Sequence, residues 1–134
     1  MRRRQPRRKA VRRMPDEYTS LVAAYKALTK GEAPNTETLK VAEDGWETRP
    51  NTVSYGIIQL DFEADALRGD NRKQITAYEG SMDLYSRKKD GDGWLPLIRN
   101  MLEEHCEGSW SLNYHGYERE SKLYHWEWVY QVMG

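Results

Sequence analysis

Four side chains in the second half of the chain belong to types that bind metals or act as nucleophiles: His105, Cys106, His115 and His125. Zinc sites need ligands that converge in a tetrahedron, and these usually come in pairs about two to four residues apart. Here His105 and Cys106 are adjacent, and the later histidines follow at intervals of ten residues. Neighbours on a helix also point about 100° apart, so Cys106 and His105 cannot form a nucleophile–base pair. We therefore predict no metal site and interpret Cys106 as a small hydrophobe at a helix end.

No other pattern in the sequence indicates catalysis. The chain has no glycine-rich phosphate loop, no G-x-S-x-G motif and no pair of carboxylates that stands apart from a solvated surface. We expect neither enzymatic activity nor a cofactor.

The strongest electrostatic feature is the N-terminal arm, residues 1–13. Its basic residues are Arg2, Arg3, Arg4, Arg7, Arg8, Lys9, Arg12 and Arg13. The arm thus holds eight of the 21 basic residues and none of the 21 acidic ones, so the net charge of zero conceals an anionic body. An arginine-rich flexible arm is predicted to contact phosphate backbones or an acidic protein surface. An idle arm, or translation that begins at Met14, explains the same composition.

An acidic segment with flanking apolar residues connects the two strands of a predicted long hairpin. The residues that we expect to make contacts there are Asp61, Phe62, Glu63, Asp65, Leu67 and Asp70. An ordinary solvated loop would explain these charges. A position lining the channel of a ring would also explain the length of the hairpin, since carboxylates repel DNA that must slide past them.

The last predicted strand alternates large aromatic residues with polar ones. Its aromatic residues are Tyr124, Trp126, Trp128 and Tyr130. Aromatic residues on an exposed sheet can stack on RNA bases, but such surfaces carry basic residues among the rings. Here Glu127 lies among them and the body is anionic, so the hypothesis of a core face packed on helices is favoured.

Composition limits the class of protein further. A chain of 134 residues with 38% hydrophobic residues can form one ordinary domain. A mean hydropathy of −0.95 and the absence of any long apolar run predict no membrane span. The single cysteine cannot form an internal disulfide, and no apolar segment follows the arm as in a secretory signal, so a cytosolic protein is expected.

Hydrophobic periodicity predicts two helices, four main strands and a short edge strand near Leu39 and Val41. The helices are predicted at Asp16–Thr29 and Trp94–His105, and the strands at Val53–Phe62, Lys73–Arg87, Trp110–Tyr117 and Leu123–Val132. Short connections then favour an α+β fold of order α-β-β-α-β-β. Its sheet would be antiparallel or mixed, with four to five strands, and both helices would pack on one face. This domain is expected to occupy residues 14–134.

Strict alternation predicts which strand residues share a face. One face of the first hairpin strand should carry Gly56, Ile58, Leu60 and Phe62. One face of the third main strand should carry Trp110, Leu112 and Tyr114, which would place His115 on the opposite side.

The layout of these elements resembles that of phage tail terminators. The resemblance rests on an amphipathic helix (Tyr18–Leu28), an irregular stretch with Trp46, Arg49 and Pro50, and a return strand that ends at residues 82–87 (MDLYSR). A glycine-rich loop, a second helix and two closing strands complete it. It covers roughly residues 14–134, and the arginine-rich arm departs from it.

The resemblance implies a hexameric ring without catalytic activity, whose lumen admits DNA. One ring face would stack on the tail-tube protein and the other on a connector or stopper protein. The hairpin at Val53–Arg87 would build the ring and face the lumen. The protein would occur in the host cytoplasm during assembly and then in the neck or tail of the virion. Two alternatives are a different phage neck or tail-completion protein and a small nucleic-acid-binding regulator that uses its arm.

Overall fold

The computed structural model describes residues 16–63 and 77–133, which form two α-helices, a short 3-10 helix (Gly91–Gly93) and seven strands. The helices are α1 (Asp16–Lys26) and α2 (Trp94–Cys106). The strands are β1 (Thr29–Lys30), β2 (Glu37–Thr38), β3 (Lys40–Glu43), β4 (Ser54–Glu63), β5 (Ala77–Ser86), β6 (Trp110–Glu118) and β7 (Leu123–Met133). The fold is therefore α+β, as predicted.

Five of the strands form one sheet in the order β3-β4-β5-β7-β6. Two antiparallel hairpins, β4–β5 and β6–β7, join through the antiparallel pairing of β5 with β7. The short strand β3 pairs parallel to β4, so the sheet is mixed. Strands β1 and β2 form a separate two-stranded sheet.

Both helices pack on the same face of the sheet, as predicted. The even-numbered residues of the central strands point toward them: Ile58, Met82, Leu84, Trp126, Trp128 and Tyr130 are all buried. From α1 the buried residues are Tyr18, Leu21, Val22 and Tyr25, and from α2 they are Trp94, Ile98, Met101, Leu102 and Cys106. These residues belong to one apolar cluster. The hypothesis that the aromatic residues of the last strand are core residues is confirmed for the buried Trp126, Trp128 and Tyr130.

Two glycines in the strands allow tyrosine rings to pack directly against the backbone of the sheet. The Tyr25 hydroxyl donates a 2.7 Å hydrogen bond to the carbonyl oxygen of Asp83, and the Tyr25 ring lies directly over Gly56. Tyr130 likewise covers Gly80 and donates to the carbonyl oxygen of Gln59 at 2.8 Å. A Cβ atom at either glycine would overlap the tyrosine, so the absence of a side chain is required for both hydrogen bonds.

The predicted element order was correct only in part. Three short strands lie between α1 and the first hairpin, where a single edge strand near Leu39 and Val41 was predicted. The first helix also ends at Lys26, before the predicted Thr29, which begins β1. Strands of two to four residues are too short for alternation to show, and the parallel partner of β3 lies beyond a loop, so local patterns could not reveal it.

Two β-bulges break the predicted alternation. In β6 the register shifts between Leu112 and Tyr114, so Leu112 pairs with Trp128 whereas Tyr114 pairs with Glu127. Tyr114 therefore lies on the opposite face from Trp110 and Leu112, and the prediction that these three share a face was wrong. A second shift between Leu60 and Phe62 places Phe62 opposite Glu79, so the predicted alternation also fails there.

Candidate functional site

The sheet face turned away from the helices, called the open face here, carries a row of aromatic rings across four strands. Tyr55 of β4 stacks on Tyr85 of β5 with ring centroids 5.1 Å apart. Tyr85 in turn stacks on His125 of β7 at 4.1 Å, with the two ring planes only 10° apart. Trp46 and Tyr114 extend the row at its two ends. The register Tyr55↔Tyr85↔His125 places these side chains directly opposite one another, and so it creates the stack.

His125 lies between two carboxylates, an arrangement called the histidine clamp here. Its Nε2 is 2.8 Å from Oδ1 of Asp83, and its Nδ1 is 2.7 Å from Oε2 of Glu118. The side chains of His125 and Asp83 are 13% and 12% exposed, whereas that of Glu118 is 36% exposed. Asp83 comes from β5 and Glu118 from the end of β6, so the clamp ties three adjacent strands together.

The clamp shifts the pKa of both its buried members. Burial lowers the pKa of His125, but the hydrogen bonds and charges of Asp83 and Glu118 outweigh it, so the net pKa is raised. Burial raises the pKa of Asp83, and its hydrogen bond to His125 opposes this only in part. Because both ring nitrogens face carboxylates, the protonated imidazole can donate to both, which is the charge state that the geometry favours.

The clamp is poorly arranged for general acid–base chemistry. A catalytic histidine needs one ring nitrogen directed at a substrate, and both nitrogens of His125 are already engaged within the chain. The rings beside it stack on one another, so their faces are not free to receive nucleic-acid bases. The geometry therefore supports a role for the clamp in joining strands.

Among the described residues, the edge strand β6 carries three of the five exposed large hydrophobic side chains. Leu112 is 51% exposed, Tyr114 is 41% exposed and Tyr117 is 50% exposed. The inner side of β6 pairs with β7, and its outer side has no strand partner in the part of the chain that the structure describes. This outer side, with Leu112, Tyr114 and Tyr117, is called the β6 edge. A nine-residue exposed edge is available for pairing with another strand.

The structure locates only some of the predicted contact residues. The arm residues Arg2, Arg3, Arg4, Arg7, Arg8, Lys9, Arg12 and Arg13 lie outside the described residues, as do Asp65, Leu67 and Asp70 of the hairpin. Asp61 is exposed at the bulge and accepts a 3.2 Å hydrogen bond from the Gln59 amide. Phe62 and Glu63 occupy the last positions of β4. The structure thus describes the base of the predicted hairpin and not the segment that connects its strands.

The residues first considered for metal binding do not form a metal-binding group in the described part of the structure. Within residues 16–63 and 77–133, no group of three or more His, Cys, Asp or Glu side chains could hold a metal ion. Cys106 is buried at the end of α2, and burial raises the pKa of its thiol to about 12. His115 stacks on Trp126 with centroids 4.6 Å apart, because the bulge turns it to the helix side of the sheet. The prediction that His115 lies opposite the aromatic face was therefore wrong.

Sequence patterns missed the histidine clamp because its three members come from different strands. One local signal was present: Asp83 interrupts the apolar residues Met82 and Leu84 in a central strand. A carboxylate is rarely buried without a partner, so its position implied one. Naming His125 would have required the β5–β7 register.

Comparison of the sequence with protein families and with curated proteins identifies no related protein. No protein-family model matches the chain, and no curated protein matches it significantly. In residues 16–63 and 77–133, no helix is long and apolar enough to cross a membrane.

Proposed function

We propose that the protein is a structural virion-assembly protein of the tail-terminator type, whose copies associate into a ring, most simply a hexamer. In this proposal the ring caps the tail tube, joins it to a connector or stopper protein, and lets DNA pass through its lumen. The chain would act in the host cytoplasm during assembly and then reside in the neck or tail of the virion. It would have no catalytic activity.

The β6 edge is the observation that carries the proposal. Monomeric proteins commonly protect long edge strands with charges, prolines or covering loops. Here Leu112 and Tyr117 are both about half exposed on the helix side of β6, and the strand has no proline. An edge of this kind favours association of a second copy of the chain by strand pairing and apolar contact.

The opposite edge of the sheet gives the association a direction. It is formed by β3, which differs from β6 in length, sequence and pairing direction. Pairing of the β6 edge of one copy with the β3 edge of the next would be head-to-tail. A head-to-tail contact generates a closed ring when its rotation closes. The long β4–β5 hairpin, which the resemblance assigns to the lumen, crosses the middle of the same sheet.

Light scattering coupled to size-exclusion chromatography tests the proposal directly. Six copies of a 15.8 kDa chain give a particle of about 95 kDa, and negative-stain images should show rings with a central opening. The double variant Leu112→Lys/Tyr117→Lys should remain folded and become monomeric, since lysine on an edge strand blocks pairing. A full-length protein that stays monomeric at its highest attainable concentration would refute the ring.

A matched control separates the loss of the β6 edge from the general effect of adding positive charge to the surface. Met133 is another exposed hydrophobic residue, 41% exposed at the end of β7 and beyond Tyr130, the last β7 residue that pairs with β6. Met133→Lys should leave the assembly intact. If Met133→Lys dissociates the particle as completely as the double variant does, the β6 edge is not the interface.

A further inference from the structure

Three cationic side chains line one pocket at the end of the sheet where β4 begins and β5 ends. They are Arg49, which precedes β4, Arg87, which follows β5, and Lys122, which lies in the β6–β7 turn. The pocket has a volume of about 370 Å³, and its other lining residues are Pro50, Thr52, Tyr55, Ser121 and Leu123. Three separate chain segments therefore direct positive charge to one place on a body that is otherwise anionic.

None of these three cations pairs with a carboxylate in the part of the chain that the structure describes. Arg87 donates a 2.7 Å hydrogen bond to the side-chain oxygen of Asn51, and Arg49 lies close enough to Tyr55 to oppose in part the rise that burial causes in the pKa of its hydroxyl. Asn51 and Tyr55 are neutral, so neither cancels the charge of an arginine. By contrast, Lys30 and Lys88 elsewhere on the surface both lie within 4 Å of Asp92.

The backbone conformation of Lys122 is a second observation that bears on the pocket. Lys122 has φ of 63°, in the left-handed region where glycine or asparagine is favoured over lysine. The turn would form with less strain if either of those residues stood there. A lysine at this position is explained if its ammonium group is needed in the pocket.

We propose that this pocket binds a phosphate group. Two guanidinium groups can each donate two parallel hydrogen bonds to phosphate oxygens, and the ammonium group adds a third positive charge. A carboxylate and a backbone phosphodiester each carry one negative charge, whereas inorganic phosphate or a phosphomonoester carries up to two and so balances more of this positive charge. Glu118 is close enough to Tyr55 to raise the pKa of its hydroxyl, but this carboxylate does not line the pocket and is held by His125, 2.7 Å away. The site does not depend on ring formation.

Isothermal titration of the full-length protein with inorganic phosphate, in a phosphate-free buffer, tests the site. Arg87→Gln and Arg49→Gln should each weaken phosphate binding roughly tenfold or more, since each removes a charge-assisted, bidentate contact. Arg99 is exposed on α2 and does not line the pocket, and Arg99→Gln removes the same charge. Its phosphate affinity should remain within about twofold of the parent protein, because exposed charges at a distance are screened.

Lys122→Asn tests the site without threatening the fold. Asparagine tolerates the left-handed backbone, so this variant should unfold at the same temperature as the parent protein or a higher one. It should nevertheless bind phosphate more weakly, and a merely structural lysine would not produce these two changes together. The proposal is refuted if phosphate does not bind, if Arg99→Gln loses as much affinity as Arg87→Gln, or if acetate competes as well as phosphate does.

A duplex oligonucleotide distinguishes the two sources of such a group. The arm is present in every variant, so its contribution to DNA binding is common to all of them. If the pocket receives a DNA backbone phosphate, Arg87→Gln should reduce the slope of log affinity against log salt by about one relative to Arg99→Gln. If the slope is unchanged while inorganic phosphate binding is lost, the pocket accepts a free phosphate or a phosphomonoester, and the proposed phosphate site still stands.

Discussion

Replacing His125 with phenylalanine should destabilise the protein by about 3 kcal/mol at pH 6. Phenylalanine keeps a ring that can stack on Tyr85, so the packing of the row is largely conserved. What is lost is the pair of hydrogen bonds to Asp83 and Glu118. The variant therefore isolates the polar part of the histidine clamp from its aromatic part.

The magnitude follows from the unequal exposure of the two carboxylates. The side chain of Glu118 is 36% exposed and can be hydrated when its partner disappears, so its contribution is small. That of Asp83 is 12% exposed and would be left without a partner for its charge. A hydrogen bond to a charged group contributes about 1.5–3 kcal/mol, and breaking a buried ion pair costs about 3–5 kcal/mol. About 3 kcal/mol is where these ranges meet.

The pH dependence supplies a second signature of the same contact. The folded state raises the pKa of His125 above its ordinary value of 6.5, so folding favours proton uptake. The stability contributed by His125 is therefore fully present below pH 6.5 and is lost as the pH rises through the folded-state pKa. The parent protein should lose stability over this window, and the His125→Phe variant should lose less.

Urea unfolding at a series of pH values and one fixed protein concentration measures both effects. His115→Phe is the control, because His115 also stacks on an aromatic ring but is exposed and has no carboxylate partner in the described part of the chain. It should change stability by less than about 0.5 kcal/mol. The reasoning fails if His125→Phe also changes the free energy of unfolding by less than about 0.5 kcal/mol. It fails too if the stability of this variant decreases with rising pH as steeply as that of the parent protein.

Three further predictions concern the helix side of the sheet. Trp128→Ala should cost about 3–5 kcal/mol in urea unfolding, because Trp128 is only 2% exposed; a loss below about 1 kcal/mol would contradict its place in the core. Gly56→Ala should cost about 1–3 kcal/mol, since the added methyl group would overlap Tyr25, and it should be less than additive with Tyr25→Leu, which removes the ring it meets. Cys106 should react with iodoacetamide at pH 8 far more slowly in the native protein than in urea, because its thiol is buried and its pKa is raised to about 12; equal rates, followed by mass spectrometry, would show that the thiol is accessible.

Residue patterns predicted the fold well where one side of an element is buried along its whole length. The alternation of Tyr124, Trp126 and Trp128 placed β7 correctly because each step of two residues returns to the same buried face. The helical spacing of Tyr18, Leu21 and Tyr25 placed α1 for the same reason. Both patterns can be read within one segment of the sequence, because one face of each element is buried along its length.

The candidate sites could not be predicted in the same way, since each depends on register between distant segments. Asp83 meets His125 only because β5 pairs with β7, and Arg49 and Lys122 line one pocket only because strand pairing brings the start of β4 and the β6–β7 turn to the same end of the sheet. The three basic residues of the pocket are also inconspicuous in a sequence whose charge is concentrated in residues 1–13.

The bulge in β6 makes the length of this strand as informative as its composition. Downstream of Leu112, one additional residue decides which side chains face the helices and which join the clamp. Deleting Asn113 would remove that extra residue, so Leu112 and Tyr114 would follow one another in regular alternation and would still face Trp128 and Glu127. Inserting a further residue between Tyr114 and Glu118 would instead exchange the two sets beyond the insertion, much as a single-base insertion changes a reading frame, and Glu118 would turn away from His125. Homologous chains should therefore tolerate the loss of Asn113 more readily than an insertion between Tyr114 and Glu118.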